Sequence, residues 1–282
     1  MRIVILGAGS VGTNLHHAFS LKGIKTELIH ARPLTAPTGE ADPTAKRSYS
    51  EAVLQQRGLT AKRSYSNAVR LPEADVYIYA IADQALREVV SKIHAPKALH
   101  LHTSGTMPIE VFGEDKPHSG ILYFFQSFSR EVLIDEWSGI PCFISGRNID
   151  DIAAIYSLAQ TLTSRIYEAN QHDRERLHIA GVFANNYTNL MYRIAADILK
   201  DTQIPFEALL PLIDNTAAKV HKMAPADAQT GPAQRGDKAV MEHHLEVLKA
   251  PQPPKGGDGF TAEEKVAVYQ ALAALIGKGQ NH

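Results

Sequence analysis

Cysteine is nearly absent from this chain. One residue of 282, Cys142, carries a thiol, so no intrachain disulfide can form, which fits a reducing compartment. Net charge is nearly absent too. Lys and Arg number 29 against 30 Asp and Glu, leaving no bulk field to draw the chain to nucleic acid or to an anionic membrane. No uninterrupted apolar run reaches the roughly 18 residues of a membrane span. The opening MRIVILGAGSVG lacks the apolar run and small-residue cleavage site of a secretory signal. The expectation is a cytoplasmic protein. What is present is ordinary globular composition, 44% hydrophobic and 21% charged, enough for one large or two medium domains.

The two halves differ in pattern. Arg2–Leu6 is a short Ile/Val/Leu run bounded by glycine, the mark of a buried strand. A helix is expected from Ser10 to Leu21, then strands at 26–30, 76–80, 99–102 and 140–144, with a helix over 83–93. Strands alternating with helices imply βαβ units and a parallel sheet. From residue 150 the pattern is helical, with stretches at 150–164, 175–200, 206–223, 237–249 and 261–276. The expected organisation is a dinucleotide-binding domain over 1–148 and an all-helical domain over 149–282. Set apart from both patterns is a short duplication, TAKRSYS at 44–50 and again at 60–66. It is either a local repeat in a surface insertion or a source of Lys/Arg pairs near a bound phosphate.

Gly7-Ala8-Gly9-Ser10-Val11-Gly12 is a GxGxxG placed directly after a strand and before a helix, the context that gives the pattern its meaning. Gly7 permits the turn, Gly9 lets backbone approach a pyrophosphate, and Gly12 lets helix and strand pack. Free N–H groups at the helix start then meet phosphate oxygens. Gly7, Gly9, Ser10, Val11 and Gly12 are therefore assigned to the cofactor. About 20 residues on, NAD-binding chains place an acid on the ribose. Here the second strand ends His30-Ala31-Arg32, and Glu27 lies too early, inside the strand. A guanidinium at the tip would pair with a 2′-phosphate, so the expected cofactor is NADP, with Arg32 as its clamp.

In open α/β sheets the ligand sits beyond the carboxyl ends of the strands. Two such ends are polar, Ala80–Asp83 and His100–Gly105. Ala80 and Ser104 are assigned to cofactor binding, with Thr103 and Ser104 as hydrogen-bond donors. His100 and His102 share a strand face, but no third ligand completes a metal site, and no metal is expected. Farther along, His178, Asn185 and Asn186 interrupt an apolar helix. At about 100° per residue Asn185 falls roughly 20° from the His178 direction and Asn186 roughly 80° away.

HIAGVFANN followed by TGPAQRGDKAVMEHHL resembles the C-terminal domain of a family of uncharacterised Rossmann-like oxidoreductases, a domain of unknown function. The N-terminal half resembles the NADP oxidoreductases that use a deazaflavin. More distantly it is similar to pyrroline-5-carboxylate reductase and 6-phosphogluconate dehydrogenase. The likeness spans nearly the whole chain, through HTSG and FFQSFS. The family pattern matches His178, Phe183, Asn186, Gly231, Pro232, Arg235, Gly236, Asp237, His244 and Leu245. It departs at Tyr123-Phe124, where relatives often have His-Pro, and at Val240, where many have Thr. The resemblance implies a 6-phosphogluconate dehydrogenase-like helical domain and a substrate cleft between domains.

These readings converge on an NADP-dependent oxidoreductase that passes a hydride between nicotinamide and a small polar substrate or second cofactor. His178 is the expected general acid/base, Asn186 orients the reacting atom, and Arg235 holds an anionic group. Arg235 and Asp237 bracing their own turn as an ion pair is the structural alternative, while Asp237 would favour the start of the next helix. A small-molecule substrate and a homodimer through the helical domain are expected; Val182, Leu190, Ile194, Leu209 and Ile213 carry its apolar faces. The rival class is a non-catalytic NADP(H) sensor, since fold analogy supports dinucleotide binding better than it supports a reaction.

Overall fold

The computed structural model describes residues 1–30, 61–62, 71–250 and 259–278. Arg32 lies outside these residues, as do both TAKRSYS copies apart from the backbone of 61–62. The chain forms two compact units, Met1–Gly181 and Val182–His282.

The first unit is built on an eight-stranded sheet. Its strands are β1 (Arg2–Leu6), β2 (Lys25–Ile29), β3 (Ala61–Lys62), β4 (Val76–Tyr79), β5 (Leu99–His102), β6 (Ser119–Phe124), β7 (Cys142–Gly146) and β8 (Ile166–Glu168). They lie in the order β3-β2-β1-β4-β5-β6-β7-β8. All pairs are parallel except β6–β7, which is antiparallel. Among the described residues its α-helices are α1 (Ser10–Leu21), α2 (Asp83–Ser91), α3 (Ile149–Gln160) and α4 (Gln171–Gly181). The continuous apolar run of β1 follows from burial on both faces. Ile3 and Ile5 join Leu15, Phe19 and Leu28 in one cluster, while Val4 and Leu6 join Tyr77, Tyr79 and Val89 in the other, as a side-chain period of two requires.

Two features depart from the sequence reading. β3, β6 and β8 are additional strands, and β7 runs Cys142–Gly146 rather than 140–144. The first compact unit also continues well past residue 148. Ile155, Leu158 and Ala159 of α3 pack into the core cluster with Leu122 and Ile144 of the sheet, and β8 pairs with β7. Both therefore belong with the sheet.

The second unit is all helical among its described residues. A π-helical segment, Val182–Tyr187, leads into α5 (Thr188–Leu199). A 3₁₀ turn at Phe206–Leu209, α6 (Leu210–Lys219), the one-turn α7 (Pro232–Arg235), α8 (Lys238–Lys249) and α9 (Ala262–Lys278) follow. Lys265 of α9 reaches Asp197 of α5 at 2.7 Å, both side chains buried. Among the described residues no helix is long and apolar enough to cross a membrane.

Candidate functional site

The strand order reverses direction on either side of β1, and the turn after β1 lies where such sheets bind ligands. Gly7 there has φ of 112°, a conformation that side chains resist. An added Cβ at Gly7 would also lie 2.2 Å from the Ala80 carbonyl oxygen, and one at Gly12 would lie 1.9 Å from the Gly7 carbonyl oxygen. These two glycines let β1, β4 and α1 close on one another. Ala80 contributes its backbone to that closure, its N–H also donating to Leu6 O at 2.8 Å.

Gly9 is different. An added Cβ there would meet no atom nearer than Arg130 Nη2 at 3.7 Å, so the turn is open on its outer side. The start of α1, Ser10-Val11-Gly12, has neither a side-chain cap nor an acidic residue in its first turn. Open space, uncapped N–H groups and a helix dipole suit an anion. A dinucleotide diphosphate fits this turn. At the ribose end, Glu27 is engaged by Arg2 at 3.0 Å within β2, away from the strand tip.

The second part of the rim is formed by β5, β6 and α4. Tyr123 Oη lies 3.0 Å from His178 Nδ1. The pair meets over Gly105, where an added Cβ would stand 2.7 Å from His178 Nδ1 and 3.0 Å from Tyr123 Cζ. Burial pushes the Tyr123 phenol up to about 12, only partly offset by the nearby Arg174 guanidinium, so the phenol is protonated at neutral pH. Arg174 is itself 1% exposed. It donates from Nη2 to Met107 O at 2.7 Å, fastening the turn after β5 to α4. Burial draws its guanidinium below the ordinary arginine range.

Other rim groups are committed internally. Ser104 Oγ donates to Asp83 Oδ2 at 3.0 Å and accepts from Thr106 N at 3.1 Å and Met107 N at 3.0 Å, so its hydroxyl proton is spent inside its own turn. Thr103 Oγ1 approaches Tyr79 O at 3.4 Å. His100 is fully buried, with Nδ1 against Tyr79 Oη and Nε2 against Ala95 O, each at 2.9 Å. Both its nitrogens are used by the fold. His102 Nδ1 accepts from Ser104 N at 3.2 Å, and burial, with Arg174 nearby, holds its imidazole down to about 4.

Of the predicted catalytic residues, His178 belongs to the sheet unit. Asn186 and Arg235 belong to the helical unit, where both are exposed. Asn186 lies in the π-helical segment, a form of helix that recurs at functional sites; Thr188 Oγ1 donates back to Phe183 O at 3.0 Å across this widened turn. Arg235 ends α7, and no ion pair joins it to Asp237 among the described residues. Asp237 instead caps α8, its carboxylate accepting from Val240 N at 3.3 Å. Sequence reasoning passes over Tyr123, which stands out only as a family departure, and Arg174, which looks like part of a charged surface run. Gly105 is the available signal, a small residue beside a rim that needs room.

Comparison with known proteins agrees with this architecture. The model of a domain of unknown function, DUF2520, matches residues 140–276. A Bacteroides fragilis protein of solved structure, assigned as an NADP oxidoreductase, is 32% identical, covers 98% of each chain and superposes with a TM-score of 0.79. The chain therefore belongs to a family of Rossmann-like oxidoreductases that carry this helical domain. A Thermotoga maritima protein is similar over 99% of this chain and 100% of its own, at 18% identity and TM-score 0.70. An imine reductase from Myxococcus stipitatus in complex with NADP+ covers 99% and 94%, at 15% identity and TM-score 0.60; it shares the fold. No curated protein matches the sequence significantly.

Proposed function

We propose that the protein is an NADP-dependent oxidoreductase acting on a small polar substrate with a C=N or C=O group. The observation that carries this reading is the pairing of two features on one sheet rim: an uncapped glycine turn open at Gly9 and a Tyr123–His178 hydrogen bond above Gly105. The Bacteroides relative, assigned as an NADP oxidoreductase, supports the choice of cofactor. Gly7, Gly9, Ser10, Val11 and Gly12 hold the diphosphate, Ala80 and Ser104 shape its floor, and Arg32 takes the 2′-phosphate. When bound, the nicotinamide supplies or accepts the hydride.

The residues do the rest. With a proton on His178 Nδ1, that N–H donates to Tyr123 Oη while the phenol hydrogen faces the substrate. As the phenol gives its proton to the substrate heteroatom, the imidazolium hands its Nδ1 proton to the phenolate oxygen. This leaves a neutral imidazole that solvent reprotonates, so the pair is a general acid. Arg174 holds the turn that seats them. Asn186 orients the reacting atom and Arg235 holds an anionic group of the substrate. Mixing the purified protein with NADPH and a panel of imines, 2-oxoacids and deazaflavins tests this. Turnover that falls about a hundredfold or more in Tyr123→Phe and His178→Ala is expected. Tight NADPH binding without turnover of any compound would favour the sensor instead.

The same reading includes a homodimer through the helical unit. Phe183, Leu212 and Leu275 are 64%, 63% and 62% exposed, while the faces picked out in the sequence, Val182, Leu190, Ile194, Leu209 and Ile213, are half-buried. Light scattering should give twice the 30.9 kDa chain mass; the single-chain mass at micromolar concentration would reject it.

A further inference from the structure

The chain between β6 and β7 brings a guanidinium to the open side of the glycine turn. Arg130 Nη2 lies 3.7 Å from where a Cβ on Gly9 would stand, and among the described residues it is the one side chain found there. Its position is built. Asn14, fully buried in the middle of α1, donates from Nδ2 to Ser10 O at 2.9 Å and to Ser129 O at 2.7 Å, and its Oδ1 accepts from Ile134 N at 3.0 Å. His17 Nε2, one turn on, lies 2.5 Å from Asp135 Oδ1. These contacts clamp both ends of the Ser129–Asp135 stretch to the helix whose first turn meets the phosphate. A buried asparagine in a helix core is costly unless its amide is satisfied. Here one bond returns to Ser10 within α1, and the other two fix this stretch to the helix.

The Arg130 side chain takes part in no ion pair or hydrogen bond among the described residues. The adjacent Glu131 feels its charge, but its carboxylate is held by Ser129 Oγ at 2.6 Å. The backbone that carries this half-buried arginine is thus pinned to α1, and its guanidinium lies beside uncapped helix N–H groups, with like polarity on both sides. Such an arrangement is unfavourable alone and favourable around a bound anion.

We propose that Arg130 is a second clamp on the cofactor diphosphate, facing the start of α1 across Gly9, with Asn14 as its positioning residue. This rests on the dinucleotide reading above. The two arginines then have different roles. Arg32 reads the 2′-phosphate and distinguishes NADP from NAD, whereas Arg130 binds what both cofactors share.

The test measures dissociation constants of NADPH, NADH and 2′-AMP for the wild-type chain, Arg130→Met and Arg130→Lys by calorimetry or cofactor fluorescence. Arg130→Met should weaken NADPH and NADH by the same factor, roughly ten- to a hundredfold for a lost charge-assisted contact, and leave 2′-AMP, which has no diphosphate, unchanged. Arg130→Lys should recover part of the loss, since an ammonium keeps the charge without the planar fork. Should NADH bind the wild type too weakly to measure, the NADPH and 2′-AMP pair decides alone. Unchanged NADPH affinity in Arg130→Met overturns the proposal. So does a loss shared by NADPH and 2′-AMP, which would put Arg130 on the 2′-phosphate. A wild-type chain that binds neither cofactor overturns the dinucleotide reading itself, a result distinct from either.

Discussion

The two units of this chain are stabilised by different means. The sheet unit closes on itself: two apolar clusters fill both faces, with Ile3, Ile5, Leu6, Leu15, Phe19 and Ile78 fully buried. In the helical unit Leu248 is the one buried hydrophobic among the described residues, while Phe183, Tyr187, Leu212, Val247, Leu272 and Leu275 are exposed. Its buried groups are chiefly an ion pair, Asp197 with Lys265. Apolar area removed from water stabilises by roughly 25 cal/mol per Å², and the helical unit collects little of it within one chain. A unit that carries apolar faces and hides a salt bridge has its fold held by specific polar contacts, and its stability left open to whatever covers those faces.

The sharpest way to break this comparison is at the ion pair. Lys265→Met leaves the buried Asp197 carboxylate with Lys200 at 3.0 Å and the Phe260 N–H at 3.3 Å. Removing one member of a buried pair costs about 3–5 kcal/mol, whereas replacing both with apolar residues is often neutral. Lys265→Met should therefore lower the unfolding midpoint seen by far-UV circular dichroism, and Asp197→Leu with Lys265→Met should restore most of it. The single tryptophan, Trp137, is 2% exposed within the sheet unit, so its fluorescence reports the other region separately. A single substitution that shifts the Trp137 transition as far as the helical one would show that the two units unfold together.

Acid should act the other way round, on the sheet unit. His16 and His102 are 5% and 0% exposed. Burial, aided by His17 and Arg174 respectively, lowers both imidazoles from 6.5 to about 4. The unfolded imidazoles take up protons below pH 6.5 while the folded ones stay neutral, so stability is lost as pH falls from 6.5 towards 4. Each contributes on the order of 3 kcal/mol across that window. Urea unfolding followed by Trp137 at about pH 7, 5.5 and 4.5 should show a falling midpoint, and His102→Gln should flatten the fall. A midpoint that does not move over this range would show that the two histidines titrate as they do in water.

Much of the sheet unit is legible in the sequence because its signals are local. The run at β1, the three glycines and the absence of acid near β2's tip each fit within a few residues. β6 escapes notice because it opens Ser119-Gly120, a pair that reads as a turn. The Tyr123–His178 pair joins positions 55 apart, and no local period announces it. Arg130 and Asn14 are distant in the chain and ordinary in isolation; only the Ser129 and Ile134 contacts make them one device, across separations of 115 and 120 positions. Helical periodicity that begins near residue 148 suggests a boundary there. The period describes α3, and says nothing of which layer α3 packs against.

The RGD segment of the helical unit tests the comparison at its smallest scale. Its charges look equivalent in sequence, and the structure separates them. Asp237 is structural: its carboxylate caps α8 through Val240 N, satisfying one of the four orphan N–H groups of a helix start. Arg235 is exposed and takes part in no ion pair with it. Asp237→Ala should therefore cost about 1 kcal/mol of helical-unit stability, with Asp237→Asn recovering most of it because the amide oxygen still accepts the bond. Arg235→Ala should change stability by less than about 0.5 kcal/mol, as surface substitutions do, and should instead lower turnover with NADPH affinity kept. The two variants are compared by urea midpoint and by activity on the same preparation. If Arg235→Ala destabilises as much as Asp237→Ala, the arginine braces the turn after all, and the substrate's anionic group must be held by something else.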